Sequence, residues 1–348
     1  FSYQFNKANL DEKKDTEHMI KALQEQLSTA ESVVKEVQHI PLETEVRKSL
    51  VTVLGQKSKQ LNIQLKIYKN WADVSAKFME KDLTLEADNK LDSLITALKD
   101  PFLNLADLNK RSLLNRAYNI KAKIAVRNGN TELAEDYYKE ATESLPDDVI
   151  TWSNYSGLLN DRGRWEENGG LHIRAYDYYN KKVYPFVDQL SSKQQPVVYS
   201  GIAYGFILLA KNIEQKQVDP KQVAKILEVQ VAEIPRVEEL RMKAQGLLEH
   251  AIQAAPTYVN AHLFLAVLRY DNGEYETALQ EVKKVLAINP THQTGLMRKG
   301  YILEKLENPT KAMKCLEKSL ELLQKNPKRN SGWIKEINNK IAEIKARK

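Results

Sequence analysis

The residues of this 348-residue chain whose types could do chemistry are six histidines, one cysteine and one glycine-rich spot, and their spacing argues against a catalytic site. His18, His39, His172, His250, His262 and His292 lie far apart, with no H-E-x-x-H or paired-His helix that would hold zinc and activate water. Cys315 falls where the second helix of a helix pair places a small buried residue, so it reads as packing. A single cysteine also excludes an intrachain disulfide framework and an all-Cys metal site. The glycines between Gly163 and Gly170 have neither the G-x4-G-K-[ST] spacing of a phosphate loop nor a strand before them. No nucleophile elbow occurs, and the abundant carboxylates show no pair that stands apart from a solvated helix surface. The expectation is a non-enzyme with no catalytic residue, no metal and no cofactor.

A second kind of chemistry is electrostatic. Lys and Arg number 52 against 46 Asp and Glu, a net charge of +6. From Lys325 onward the chain holds eight basic residues, including Lys335, Lys340, Lys345 and Lys348, against Glu336 and Glu343, so the whole excess sits in the tail. This pattern describes a neutral body with a basic end, not a globally basic nucleic-acid binder. The basic end could dock on an anionic membrane, at about 1 kcal/mol per near-surface cation, or on nucleic acid.

These groups must be held by helices. With 13 Gly and 11 Pro, the chain is poorer in both than average usage, which argues against a loop-rich β fold and against low-complexity disorder. An apolar share of 42% is enough for a core. The longest uncharged apolar run, Val197 to Ala210, has 14 residues, below the roughly 18–20 a membrane-crossing helix needs. The opening residues have no signal-peptide pattern. Because the chain starts at Phe1 and not at Met, an upstream segment, signal or membrane anchor, is expected to have been removed; the cytoplasm is the favoured compartment.

Ile20, Leu23, Leu27, Ala30, Val34 and Val37 recur at alternating spacings of three and four, the seam of one helix lying along another. Pro41 stops that helix, and a second, roughly Leu42 to Lys81, puts Leu50, Leu54, Leu61 and Leu65 on one face. Residues 1–104 therefore read as an antiparallel helical hairpin or bundle, with a homodimeric coiled coil as the alternative. Further helices are expected over Thr84 to Lys99 and from about Leu105.

From there the pattern repeats every 34 residues. Asn115 to Asp148 and Val259 to His292 align at Tyr118/His262, Ala122/Ala266, Gly129/Gly273, Ala134/Ala278 and Pro146/Pro290. Gln293 to Asn326 follows in register with Gly300 and Ala312, although Glu307-Asn308-Pro309 replaces the turn glycine and Pro327 comes late. Small residues let two helices approach, the glycine turns the chain, and the proline ends the second helix. This resembles the tetratricopeptide repeat (TPR), a helix–turn–helix unit of this length. The segment after Pro146 extends the frame through Trp152, Gly163, Trp165 and Ala175. There Asn168 stands at the inner alanine and is followed by Gly169-Gly170, so its second helix starts late, near Leu171, or kinks. Between Val183 and Pro256 the unit is stretched: Val197 to Ala210 and Glu238 to Ala254 form the pair, separated by an insertion near 212–236 with a helical segment from Pro220 to Ala232.

The resemblance implies an all-α, right-handed superhelix. It assigns 105–326 to about five helix pairs and 327–348 to a basic amphipathic capping helix, with Trp333, Ile334, Ile337, Ile341 and Ile344 on its apolar side. It further implies a scaffold or adaptor that holds a peptide or helix segment of another protein against the first helices. The side chains it assigns to that groove are Arg116, Asn119, Lys123, Arg127, Asn154, Tyr204, Asn260, Leu263, Val267, Tyr270, Met297 and Tyr301. The family's carboxylate clamp for chaperone C-termini is incomplete: Lys123 and Asn154 match, but Asn119, Val197 and Gly201 stand where Lys, Lys and Arg belong.

Overall fold

The small residues that the 34-residue spacing singles out are enclosed: Ala122, Ala134 and Ala278 have no exposed surface, and Ala266 has 1%. The computed structural model describes residues 2–39, 43–79, 85–166, 168–325 and 330–346, and among them it contains fifteen α-helices and no strand. The chain is all-α, and its residues divide into two compact units, 1–126 with 132–146 and 127–131 with 147–348.

In the first unit, α1 (Ser2–His39) packs along α2 (Thr44–Met79), and α3 (Leu85–Lys99) packs on α2. Leu23, Leu61, Leu65, Trp71, Val74, Leu91, Leu94 and Leu98 form a core continued by Leu113, Ala117 and Ile120 of α4 (Asp107–Arg127). Leu50 departs from the spacing argument: it is 40% exposed beside Val46 and Val53, because it lies at the edge of a stripe centred on Leu54, Leu61 and Leu65. Pro41 lies outside the described residues. Gln60 of α2 holds the α3–α4 connection from both sides, donating to the Phe102 carbonyl at 3.3 Å and accepting from the Asn104 amide at 3.3 Å. Lys121 of α4 is buried, with its ammonium 3.2 Å from Asp88 and 2.5 Å from Asp92 of α3. Asn115 ties α4 to α5 (Thr131–Ser144) by donating to the Ala141 carbonyl at 3.0 Å.

The second unit begins with α6 (Val149–Trp165) and α7 (Gly169–Tyr178). Asn168 proves to be the cap of α7, its side chain accepting from the Gly170 amide, so the helix starts at Gly169. The glycine pair also has a packing reason. A Cβ at Gly169 would sit 2.3 Å from Val218 Cγ1, and one at Gly170 would sit 3.0 Å from Gln222 Nε2; both partners belong to the insertion. The inserted segment is therefore packed against the start of α7, with Val223, Ala224 and Leu227 of α9 (Pro220–Leu227) buried. After α7 the chain runs through a π-helical stretch, Tyr179–Val183, and a 3-10 stretch, Tyr184–Gln189.

The apolar run near 200 forms α8 (Gln195–Glu214), longer than the run from Val197 to Ala210 because polar residues extend both ends. At 20 residues and a mean hydropathy of 1.3, α8 is long and apolar enough to cross a membrane by length and composition. Yet 72% of that window is buried inside this unit, as in a central core helix. Its pair partner is α10 (Val237–Ala254). The pairs α11 (Val259–Asp271) with α12 (Tyr275–Ile288) and α13 (Gln293–Lys305) with α14 (Pro309–Leu323) follow. Gly129 and Gly273 turn at φ 80° and 82°, where side chains are strained; Glu307 fills the corresponding turn at φ 53°. Helix α15 (Ser331–Ala346) closes the unit, burying Ile337 and Ile344 against Met297, Leu316 and Leu323.

Candidate functional site

A TPR-like array offers its first helices to a ligand, and the residues assigned to that surface divide by burial. In the first unit, Arg116 is exposed and Lys123 half-buried. Asn119 is 9% exposed, and its side-chain amide donates to the Asn115 carbonyl at 3.1 Å, so it belongs to the packing of α4. In the second unit, Arg127, Asn154, Tyr204, Asn260 and Tyr270 are half-buried. Leu263, Val267, Met297 and Tyr301 are not open groove positions as expected: they are 5%, 6%, 1% and 8% exposed. Neighbouring helices cover the last three. Val267 joins the core around α8, and α15 covers Met297 and Tyr301, the Tyr301 hydroxyl donating to Glu336 Oε1 at 3.0 Å.

One of these half-buried residues, Tyr204, belongs to an aromatic pair. The rings of Tyr204 on α8 and Phe264 on α11 lie 4.4 Å apart and 12° from parallel, a stacked platform joining two adjacent first helices. Asn260 lies one turn before Phe264 on α11 and donates to the Tyr258 hydroxyl at 3.3 Å. Further along α11, Tyr270 meets Tyr275 edge-on at 5.4 Å, and burial pushes its hydroxyl up to about 12, so it stays a neutral donor. On α13 the Arg298 guanidinium stands 6.0 Å over the Tyr301 ring. Phe264 escapes a reading of the sequence because a helical phenylalanine ordinarily belongs to the core. Its place three residues before Val267 is the available signal.

A flat aromatic pair, with the Asn260 amide one helical turn away, can bind and orient a peptide. The remaining candidates do not point to covalent chemistry. Burial pushes the Cys315 thiol up, and Lys299, Lys314 and Lys318 only oppose it, so the thiolate is disfavoured. His292 caps α13, its Nδ1 accepting from the Gly295 amide at 3.0 Å, and burial lowers its pKa in keeping with that acceptor role. His172 Nδ1 lies 3.2 Å from Asn160 Oδ1 inside the α6–α7 pair. Among the described residues no group of three His, Cys, Asp or Glu side chains could hold a metal ion. Of the basic tail, Lys335 and Lys345 are exposed, whereas Lys340 is engaged by Glu304 at 3.3 Å and Glu343 at 3.2 Å; Lys348 lies outside the described residues.

Family profiles described as tetratricopeptide repeat match residues 121–178, 243–293 and 294–326. No curated protein matches the chain. Similar solved structures include a thermophilic TPR protein of Thermus thermophilus, 14% identical, covering 66% of this chain and 98% of that one, with a TM-score of 0.49. PilF of Pseudomonas aeruginosa is 15% identical over 78% of this chain and 97% of its own, with a TM-score of 0.41. MamA of Desulfovibrio magneticus is 14% identical over 61% and 97%, with a TM-score of 0.34.

Proposed function

This chain is a tetratricopeptide-repeat protein over residues 121–178 and 243–326, and from that premise we propose that it captures a segment of a partner protein on the first helices of its second unit. Protein interaction is what such repeats do; the surface is our own reading. The observation that carries it is the half-buried Tyr204–Phe264 stack. Two aromatic rings held in van der Waals contact lose little conformational entropy on binding and give an apolar anchor a flat seat. Asn154 and Asn260 supply amides for the backbone of an extended segment, and Arg298 supplies a cation for an acidic residue. The basic tail is a weaker candidate, because Lys340 is already engaged by two carboxylates of this chain.

The test is a peptide-display selection on the full chain, repeated with Phe264→Ala and with Tyr204→Ala. Peptides retained by the unchanged chain should be lost by both variants while the circular dichroism spectrum stays helical. Equal retention by all three proteins would remove this surface from consideration.

A further inference from the structure

The balanced charge of the body conceals one helix that is not balanced. From Val46 to Ala72, α2 carries Arg47, Lys48, Lys57, Lys59, Lys66 and Lys69 and no acidic residue. Lys48, Lys59 and Lys66 stand eleven and seven residues apart, close to three and two whole turns, so they fall on one side of the helix. That side lies roughly 140–160° around the axis from buried Leu61, and the three exposed lysines span about 27 Å of it. Lys69 is exposed at its edge.

The carboxylates that flank the stretch have cations of their own. Glu45 lies 3.5 Å from Lys48, and Asp73 is paired with Lys90 of α3. Helix α1 packs on the Leu61 face and carries Glu25, Glu31 and Glu36. Among the described residues neither these nor any other carboxylate pairs with Lys59, Lys66 or Lys69. The sign of this side is therefore positive. Its exposed groups between the lysines, Thr52, Asn62 and Ile63, include no arginine fork and no aromatic ring, so nothing there reads or stacks a base. Ile63 is 44% exposed beside Lys59 and Lys66. Against a phosphate backbone it stays in water, whereas at a bilayer it enters the headgroup boundary. An acidic protein segment must match the lysine spacing with fixed carboxylates. Lipids instead diffuse until a headgroup lies under each ammonium, worth about fivefold in affinity per lysine.

We propose that this side of α2 docks the chain on an anionic lipid surface, through residues that belong neither to the first-helix surface nor to the basic tail. The helix lies along the bilayer, with Lys59, Lys66 and Lys69 over anionic headgroups and Ile63 between them. The contact is peripheral, because the apolar face of α2, with Leu61, Leu65 and Trp71, stays in the core of its own unit and cannot insert.

Flotation of the full chain with vesicles of phosphatidylcholine and phosphatidylserine, about two to one, at low salt tests it. The unchanged chain should float with these vesicles and not with phosphatidylcholine alone, and added salt should release it. Lys59→Gln, Lys66→Gln and Lys69→Gln together should lower the partition by on the order of 100-fold, at about fivefold per lysine. Lys335→Gln with Lys345→Gln should leave it within about twofold, and melting curves matching the unchanged chain show that both variants fold. The proposal fails if the unchanged chain does not float, or floats equally with neutral vesicles. It fails if the triple variant floats as well as the unchanged chain, or if the tail variant no longer floats. It fails also if duplex DNA or polyglutamate, at the same concentration of negative charge, strips the chain from the vesicles. The stripe would then be a site for nucleic acid or for an acidic protein segment.

Discussion

His262 Nδ1 and Glu281 Oε2 meet at 2.7 Å, both side chains buried within the α11–α12 pair. The other ring nitrogen, Nε2, lies 2.9 Å from the Pro256 carbonyl, so both nitrogens face acceptors and the imidazole is held as a doubly donating cation. Arg269 at 3.0 Å and Lys284 at 2.9 Å complete the ring of donors around Glu281.

The bond to Glu281 raises the pKa of His262 above its ordinary 6.5 despite burial. The folded chain then binds that proton more tightly than the unfolded one. The resulting stability is complete below pH 6.5 and is lost as pH rises through the raised folded value. Melting temperatures taken from about pH 6 to about pH 9 should fall through this window, and His262→Gln should flatten that fall while costing on the order of 1–2 kcal/mol at the acid end. An unchanged slope in the variant would assign the pH dependence elsewhere.

Glu281 acts at the other end of the scale. Burial alone would raise its carboxyl, but His262, Lys284 and Arg269 overcome that and hold it at about 2. Its contribution is present above its ordinary value of 4.5 and disappears as pH falls toward 2. Acid titration followed by circular dichroism should show Glu281→Gln less stable near neutral pH, by about 2 kcal/mol, with the gap closing by about pH 2. A constant gap across that range would contradict this account.

Glu307 holds at φ 53° a turn that Gly129 and Gly273 make at 80° and 82°. Glu307→Gly should therefore stabilise the chain by about 0.5–1 kcal/mol, and Gly273→Ala should destabilise it by about 1 kcal/mol. A Cβ at Gly273 meets nothing within 4 Å, so that loss would come from backbone strain alone. Differential scanning calorimetry separates the two signs.

Two helical glycines should respond in opposite ways to the same change. A Cβ at Gly300 would lie 2.7 Å from Leu316 Cδ2, whereas Gly246, exposed on α10, has open space. Gly300→Ala is expected to cost about 1–3 kcal/mol by overpacking, and Gly246→Ala to gain about 0.8–1 kcal/mol of helix propensity. Urea unfolding midpoints measure both.

Removing the Lys121 ammonium should loosen α3 more than any other helix of the first unit. Lys121→Ala is expected to cost about 2 kcal/mol, with faster amide exchange across Leu85–Lys99; Lys121→Met, which keeps the apolar stem, should cost less. Uniform acceleration across all helices would mean that the lysine is a general packing residue.

The helix pairs were legible because alanine at Ala122, Ala134, Ala266 and Ala278 has a single packing reason and recurs at one spacing. Gly169-Gly170 reads like a flaw in a helix, since the side chains that need the space, Val218 and Gln222, lie about fifty residues later. The binding surface was legible only in part. Spacing tells which face of a helix Met297 and Tyr301 occupy, but not that α15 folds over that face. Polar side chains carried even less information: nothing near Asn119 in sequence distinguishes a groove amide from one that bonds its own helix backbone.

Tyr179 has a mechanical consequence. Its ring lies against Gly201 and Gly205 of α8, with its hydroxyl 3.9 Å from the Cβ position of Gly157 on α6, so it works as a key between two adjacent helices. Stacked helix pairs deform like the turns of a spring, each joint opening a little. With a ring seated across this joint, the α6–α8 turn is blocked. Stretching or winding of the second unit under load therefore meets resistance at this joint, because the ring cannot leave the two glycine positions without giving up its close contacts.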